Sequence, residues 1–277
     1  MISARLINDL NCRDGAFNMA ADHYIAEFSP EADRQVIFRV YNWTTPTISL
    51  GAHQKSDAVV LPECEKRGWD VVFRPTGGRI LLHEFDLSYS IIMPIGTNVY
   101  DDLHGIYNGV AEALIAMLKA NGVEASNTKT MKSHRLNDPS PRARLCMGSR
   151  TRGEVHIEGR KISGAAQRIY EKRILQHGSI PLKGDVAAVA GVTPLSKDER
   201  SQVSAIIRSE ATTLASEGFQ VSDIQNLAEI FTDAVAERFQ LDLLTIDWTA
   251  EELVKIKSLE KDFSILKNHY EIEGGMQ

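Results

Sequence analysis

The stretch that most limits how this chain can fold runs from Val71 to His83. An apolar strand, Val71 to Phe73, enters Arg74-Pro75-Thr76-Gly77-Gly78-Arg79 and turns back into Ile80-Leu81-Leu82, ending at a lone histidine, His83. Paired glycines let a backbone turn tightly and bring its N–H groups close to a ligand with no Cβ in the way. Arg74 and Arg79 on either side add fixed positive charge suited to a carboxylate, a phosphate or a polarised carbonyl. Two readings stand: the floor of a binding site, or an ordinary hairpin turn with two surface arginines. Either way, strands must be laid on both sides of this turn.

Composition narrows the class. The chain has 277 residues, 43% hydrophobic and 25% charged, with a net charge of −6. Those are the proportions of a globular protein large enough for a sizeable core, and the acidic balance argues against a general nucleic-acid partner. Cys12, Cys64 and Cys146 are widely spaced, with no CxxC pair, which predicts a reducing, cytoplasmic setting and no zinc site. No apolar run approaches a membrane span and no secretory h-region is present, so no membrane partner is expected.

Local signals order the rest. A strand is expected at Ala4 to Ile7, followed by a helix that Asp14 caps and that reaches about Phe28. Gln35 to Tyr41 and Thr47 to Leu50 read as strands, as do Asp70 to Arg74 and Leu87 to Met93, with a short helix over Pro62 to Gly68. Leu103 to Asn121 is the clearest helix, with Ile106, Val110, Leu114, Met117 and Leu118 on one face and Gly122 at the stop. Glu154 to Ile157 and Lys161 to Arg168 read as a hairpin about Glu158-Gly159, and Ile174 to Pro181 as a further strand. Beyond that, Ser196-x-x-Glu199, Ser222-x-x-Gln225 and Thr249-x-x-Glu252 are three capping signatures that predict a helical remainder. Strands dominate the first two thirds with long helices between them. The class is α+β around mixed sheets.

Chemistry has few candidates. No phosphate-binding glycine motif and no H-E-x-x-H occurs, so nucleotide folds of the P-loop or Rossmann type and a catalytic zinc lack support. Between Ser126 and Arg144 the apolar pattern vanishes, predicting a long mobile loop. Through Arg152 this stretch carries Lys129, Lys132, Arg135, Arg142, Arg144, Arg150 and Arg152 against Asp138 alone. It is a solvated loop or a patch that steers an acidic partner. Cys146 sits among these cations, which favour a thiolate, so it is an inert small hydrophobe or a nucleophile. Lys161 precedes Ile162-Ser163-Gly164-Ala165-Ala166-Gln167, where small residues let a ligand lie against the backbone; it is an exposed hairpin lysine or a carbonyl-polarising cation. His83 and His177 each stand at a strand end.

Five segments together resemble the biotin/lipoate protein ligase and acyltransferase family. They are Phe17-Asn18-Met19-Ala20, Thr47-Ile48-Ser49-Leu50-Gly51, Arg74 to Arg79 with His83, Gly159 to Gln167, and Leu175-Gln176-His177-Gly178-Ser179. They occur in the family's order and cover Leu6 to Leu182. The chain is most similar to octanoyltransferases of Gram-positive type, which carry a nucleophilic cysteine in the position held here by Cys146, ahead of Lys161. Two departures are visible: the segment after Cys146 is basic, and Glu84-Phe85-Asp86 follows His83 where the family's pattern more often begins with Asp.

The resemblance implies a biotin/lipoate ligase-like catalytic domain over 1–185, a large mixed sheet flanked by helices with a smaller sheet beside it, and a helical C-terminal segment over 186–277. It implies octanoyl transfer from acyl carrier protein, through a Cys146 thioester, to the lysine of a lipoyl-domain protein such as the glycine-cleavage H protein or an E2. Lys161 would polarise the acyl carbonyl. Arg74, Gly77, Gly78, Arg79, His83, Gly164, Ala165, Gln167, His177 and Gly178 would bind substrate, with some of Ile80, Leu81 and Leu82 lining an acyl tunnel. No cofactor is needed, because a thioester is already activated. The alternatives are an ATP- and Mg-dependent lipoate ligase forming lipoyl-AMP, an amidotransferase between carrier domains, and a lipoyl-domain binding module without turnover.

Overall fold

The computed structural model describes residues 1–96, 103–127, 154–219 and 223–266. Its centre is a six-stranded mixed sheet. β1 (Ile2–Arg13), β2 (Val36–Trp43), β6 (Asp86–Pro94), β10 (Gly164–Ile169), β11 (Arg173–Pro181) and β12 (Leu241–Thr245) lie in the order β10-β11-β6-β2-β1-β12. β1 is parallel to β2 and to β12, and the other pairings are antiparallel. A three-stranded sheet stands beside it, in which β3 (Thr47–Leu50) pairs parallel with β4 (Asp70–Phe73) and antiparallel with β5 (Leu81–His83). A third small sheet holds β7 (Ser126–Asn127), β8 (Val155–Ile157) and β9 (Arg160–Lys161).

Alternation along β2 divides the core. Val36, Phe38 and Val40 face α3 (Leu103–Ala120) and α5 (Ile224–Phe239), while Ile37 and Tyr41 face α1 (Gly15–Glu27). β6 is buried along its whole length, and its Ser88 and Ser90 share the α1 side with Ile92. A third cluster joins the small sheet to α2 (Leu61–Lys66) and α4 (Lys197–Glu210). α6 (Ala250–Leu259) packs on α1, tied down where the Arg5 guanidinium donates to both Glu252 oxygens at 2.8 and 3.0 Å.

Most local expectations hold. Asp14 caps α1 by accepting from the Phe17 N–H, all five predicted residues of the α3 face are buried, and both Ser196 and Thr249 form complete capping boxes. Four differ. Phe28, placed on the α1 stripe, is 51% exposed because the helix ends at Glu27 and the side chain lies past its last turn. α5 is capped by Asp223, whose carboxylate accepts from the Gln225 N–H, and not by Ser222, which lies outside the described residues. The Glu158-Gly159 turn forms with both residues at positive φ, yet its return strand is only two residues long. The chain then leaves β8, and Gly164–Ile169 pairs with β11 in the large sheet. Finally, the largely helical remainder contains a strand, β12, alongside β1, so the C-terminal third contributes to the main sheet. No described helix is long and apolar enough to cross a membrane.

Candidate active site

The glycine turn between β4 and β5 leans over the large sheet, and the cleft between them is the candidate site. Met19 from α1, Tyr41 from β2, Ser49 from β3, Arg74, Gly78, Leu81 and His83 from the turn and β5, Gly164 to Ala166 from β10, and His177 and Gly178 from β11 line about 430 Å³ of open space. Seven of the sequence-derived substrate residues (Arg74, Gly78, His83, Gly164, Ala165, His177, Gly178) thus meet at one place.

Their roles are not all those expected. Arg74 is no open cationic lip. Its guanidinium is buried and donates to the Gly77 carbonyl at 3.0 Å, the Arg79 carbonyl at 2.7 Å, and the Ser49 carbonyl and hydroxyl at 3.0 and 3.2 Å. It knits the turn to β3, a task for a planar fork with several donors. Gly78 has φ near +103°, and a Cβ there would stand 2.5 Å from the Arg74 guanidinium; a Cβ on Gly51 would reach the Gly78 carbonyl at 2.3 Å. Gly178 leaves room for the Tyr89 ring. Gly77 faces open space and Arg79 is half-buried, contributing its carbonyl to Arg74. Gln167 points elsewhere: its amide donates to the Leu103 carbonyl and the Gln176 side chain at 2.8 and 2.9 Å. Leu81 lines the cleft, whereas Ile80 and Leu82 line a separate groove with Phe85 and Val189 on the far side of β5.

Two histidines face the cleft, each held by a buried carboxylate. His177 Nδ1 lies 3.0 Å from Asp22 Oδ2 and its Nε2 lies 2.6 Å from the Thr76 hydroxyl. His83 Nδ1 lies 2.6 Å from Asp86 Oδ2 and its Nε2 lies 2.9 Å from the Ser49 hydroxyl. Asp22 is fully buried and also accepts from Arg39, Tyr41 and Ser90. Burial alone would raise its pKa, but the His177 hydrogen bond and the Arg39 charge win and hold it below the ordinary carboxylate value. Burial lowers the pKa of His177 more than Asp22 raises it, so that ring stays neutral. Arg39 continues the network to Asp9, which also accepts from Trp248 at 2.9 Å.

Lys161 is buried on β9, and its ammonium donates to Glu154 Oε1 at 2.6 Å; it is not among the residues lining the cleft. Glu154 borders a neighbouring pocket of about 250 Å³ beneath α3, which shares Ala165 with the cleft. Cys146 and residues 128–153, which include every basic residue from Lys129 to Arg152, lie outside the described residues. The other two thiols do not suit a nucleophile here: Cys12 is exposed on β1 away from the cleft, and burial pushes Cys64 up to about 11. No metal-holding group of His, Cys, Asp and Glu occurs among the described residues.

Sequence reading missed Asp22, Ser49, Thr76 and Asp86 as parts of the site. Ser49 and Thr76 lie inside the segments that carry the family resemblance, but short hydroxyl residues in strands and turns give no signal of their own. Asp22 is one more polar residue on an amphipathic helix until its total burial is known.

A cleft between a large mixed sheet and a small one, floored by an arginine-clamped glycine turn, is the arrangement that the family resemblance implies. Residues 14–236 match the lipoyl protein ligase A/B catalytic domain, and the chain belongs to that family. It is 31% identical over 86% of its length to an octanoyltransferase LipM of Carboxydothermus hydrogenoformans, covering 87% of that protein. It is 29% identical over 90% of its length to an octanoyltransferase LipM of Clostridioides difficile, covering 92% of that protein. Among solved structures, the bipartite lipoate protein ligase of a Thermoplasma acidophilum lipoylation system, studied with its E2 lipoyl domain, superposes with a TM-score of 0.75. Identity there is 18%, over 94% of this chain and 93% of that one. A lipoate-protein ligase A bound with ATP gives 0.70 at 18% identity, covering 94% and 95%.

Proposed function

We propose that this protein is an octanoyltransferase of lipoate biosynthesis, moving an octanoyl group from acyl carrier protein to the lysine of a lipoyl-domain protein. The observation that carries the reading is full-length similarity to octanoyltransferases, together with an apolar cleft of alkyl-chain character built from the matching motifs. Cys146 attacks the donor thioester: the new C–S bond forms on Cys146 as the carrier thiol leaves. The acceptor's ε-amine then attacks the enzyme thioester, an amide forms, and the Cys146 thiol is released. Met19, Tyr41 and Leu81 give the octanoyl chain its apolar wall, and the small residues Gly164, Ala165 and Gly178 keep its path open. Lys161, held by Glu154, orients the acyl carbonyl. The basic residues around Cys146 meet the acidic carrier protein, so added salt slows donor association. The unit over 1–185 carries the reaction, with 186–277 as its C-terminal complement, and the setting is cytoplasmic.

Intact-mass analysis tests this directly. Mixed with octanoyl–acyl carrier protein without ATP, the wild type gains one hydroxylamine-labile octanoyl group and Cys146→Ala gains none. A labile adduct that persists in Cys146→Ala overturns the nucleophile. Lipoylation that appears only with ATP and releases pyrophosphate makes the protein a ligase instead.

A further inference from the structure

We propose that Arg168 sets the length of acyl chain the protein accepts, by strapping the glycine turn to the edge strand β10 and so closing one end of the cleft. The inference rests on the octanoyl-transfer reading above and adds the residue that selects a medium-length chain.

Alternation along β10 puts Gly164, Ala166 and Arg168 on the face toward the glycine turn, and Ala165 and Gln167 on the face toward α3. Gly164 and Ala166 line the cleft and, being small, leave its floor open. Arg168, the next residue in that row, does not line it. Its guanidinium reaches the turn and donates to the Pro75 carbonyl at 2.9 Å, lying over the Tyr170 ring at 4.8 Å from the ring centre. A side chain held between a carbonyl and an aromatic face has little freedom to swing aside.

The closure continues on β11. His177, the cross-strand partner of Ala166, lines the cleft and lies 2.6 Å from the Thr76 hydroxyl. Leu175, the partner of Arg168, is fully buried in the core beside α1 with Tyr170 and Ile92. The turn is thus stitched to the large sheet at two successive residues, Pro75 and Thr76, and the cleft stops at that seam. Thr76 and His177 are buried, and His177 is also tied to Asp22. Arg168 is the exposed member of the seam, so it can be replaced without cutting into the core.

The other end of the row belongs to the reacting group. Lys161 precedes Gly164 by three residues, and in the octanoyl-transfer reading it orients the acyl carbonyl. A chain whose carbonyl lies at that end runs along Gly164 and Ala166 with its methyl end toward Arg168. At about 3.3 Å per residue, the strand advances roughly 13 Å from Gly164 to Arg168. An extended octanoyl chain, a zigzag of bonds of about 1.5 Å, is roughly 9 Å long, and a sixteen-carbon chain is roughly 19 Å. The first fits between the two ends of the row and the second does not. Arg168 is a specificity-determining residue in this scheme, and it touches no reacting atom.

The test compares chains of six, eight, ten and twelve carbons in two measurements. One is kcat/KM for transfer from the acyl carrier protein thioesters, and the other is calorimetric binding of the free fatty acids. One methylene in an apolar site is worth about 10–200-fold, so Arg168→Ala is expected to raise the ten-to-eight-carbon ratio by ~10-fold or more in both. Ala166→Leu fills the closed end from the floor and should move the optimum to six carbons, with the eight-to-six-carbon ratio falling by ~10–200-fold. A folded Arg168→Ala that keeps the wild-type profile overturns the strap. So does an equal loss at every chain length, which marks a structural role only. If Arg168→Ala does not fold, Ala166→Leu still decides, since an unchanged profile there removes the closed end. Binding needs no turnover, so the two ways of failing are separable. A wild type that binds octanoate best and transfers no octanoyl group overturns the transferase reading and leaves the stop standing. One that transfers octanoyl and dodecanoyl equally well keeps the reading and overturns the stop.

Discussion

Arg74 and Gly78 act as one unit, and their chemistry predicts how the turn fails. Gly78→Ala places a Cβ in a left-handed backbone, 2.5 Å from a guanidinium already committed to three carbonyls. Backbone strain of this kind costs roughly 1–3 kcal/mol. Urea unfolding should show that loss with an unchanged m-value, and a neutral Gly78→Ala would mean that the turn is not so clamped. Acid should act on the other side of the cleft. His177 is held neutral in the native state, whereas in the unfolded chain it gains a proton as pH falls below about its ordinary 6.5. Asp22 stays ionised in the native state below its ordinary 3.8, where the unfolded chain protonates. Both differences favour unfolding as pH falls, His177 first and Asp22 later. Stability measured from pH 7 to pH 5 should therefore decline by up to about 1.4 kcal/mol per pH unit from this one site. His177→Gln should remove that share of the slope, whatever it does to absolute stability.

The crossing of α3 and α5 is set by one small residue. Gly109 lies in the middle of α3, where alanine would favour the helix by roughly 0.5–1 kcal/mol. A Cβ at that position would stand 2.5 Å from the Phe239 ring, and overpacking of that kind costs about 1–3 kcal/mol. Packing wins, so Gly109→Ala should lower the melting temperature and Phe239→Leu should restore part of it. Stabilisation by Gly109→Ala alone would mean that α5 shifts freely. Element by element, the sequence was readable where a local rule decides the outcome: Asp14, Ser196 and Thr249 announce helix starts, and the α3 face repeats at helical spacing. It was unreadable where a distant partner decides. Leu241 to Thr245 has the mixed pattern of a half-exposed segment and becomes a strand because β1 offers a free edge. Gly164 to Ile169 abandons its hairpin partner for β11. Asp86 shows the same limit in the site: its role depends on His83, Ser88 and Ser179 converging on one oxygen, and the last of these lies 93 residues away in sequence.

The same reasoning bears on where the folding unit ends. The motifs stop at Leu182, and the resemblance implies a catalytic domain over 1–185 with 186–277 packed on it, but the core does not stop at that boundary. Phe231 of α5 packs edge-on against Phe38 and Tyr89, at 5.9 and 5.3 Å between ring centres, directly behind the strands that carry the cleft. Leu227, Val235, Phe239 and Leu241 complete that cluster, and β12 covers the outer edge of β1. Trp248 reaches Asp9, and through Arg39 and Asp22 the hydrogen bonds run on to His177 in the cleft. A chain cut after Asp185 would expose one face of the large sheet and a free edge strand, a surface that aggregates. It is expected to lack the near-ultraviolet circular dichroism of packed aromatics and to precipitate. A chain ending at Leu266 keeps every element named above and should unfold cooperatively like the full chain. If the shorter piece instead gives a cooperative transition and dispersed amide resonances, 186–277 is an appendage, and the link from Trp248 to the cleft is dispensable for folding.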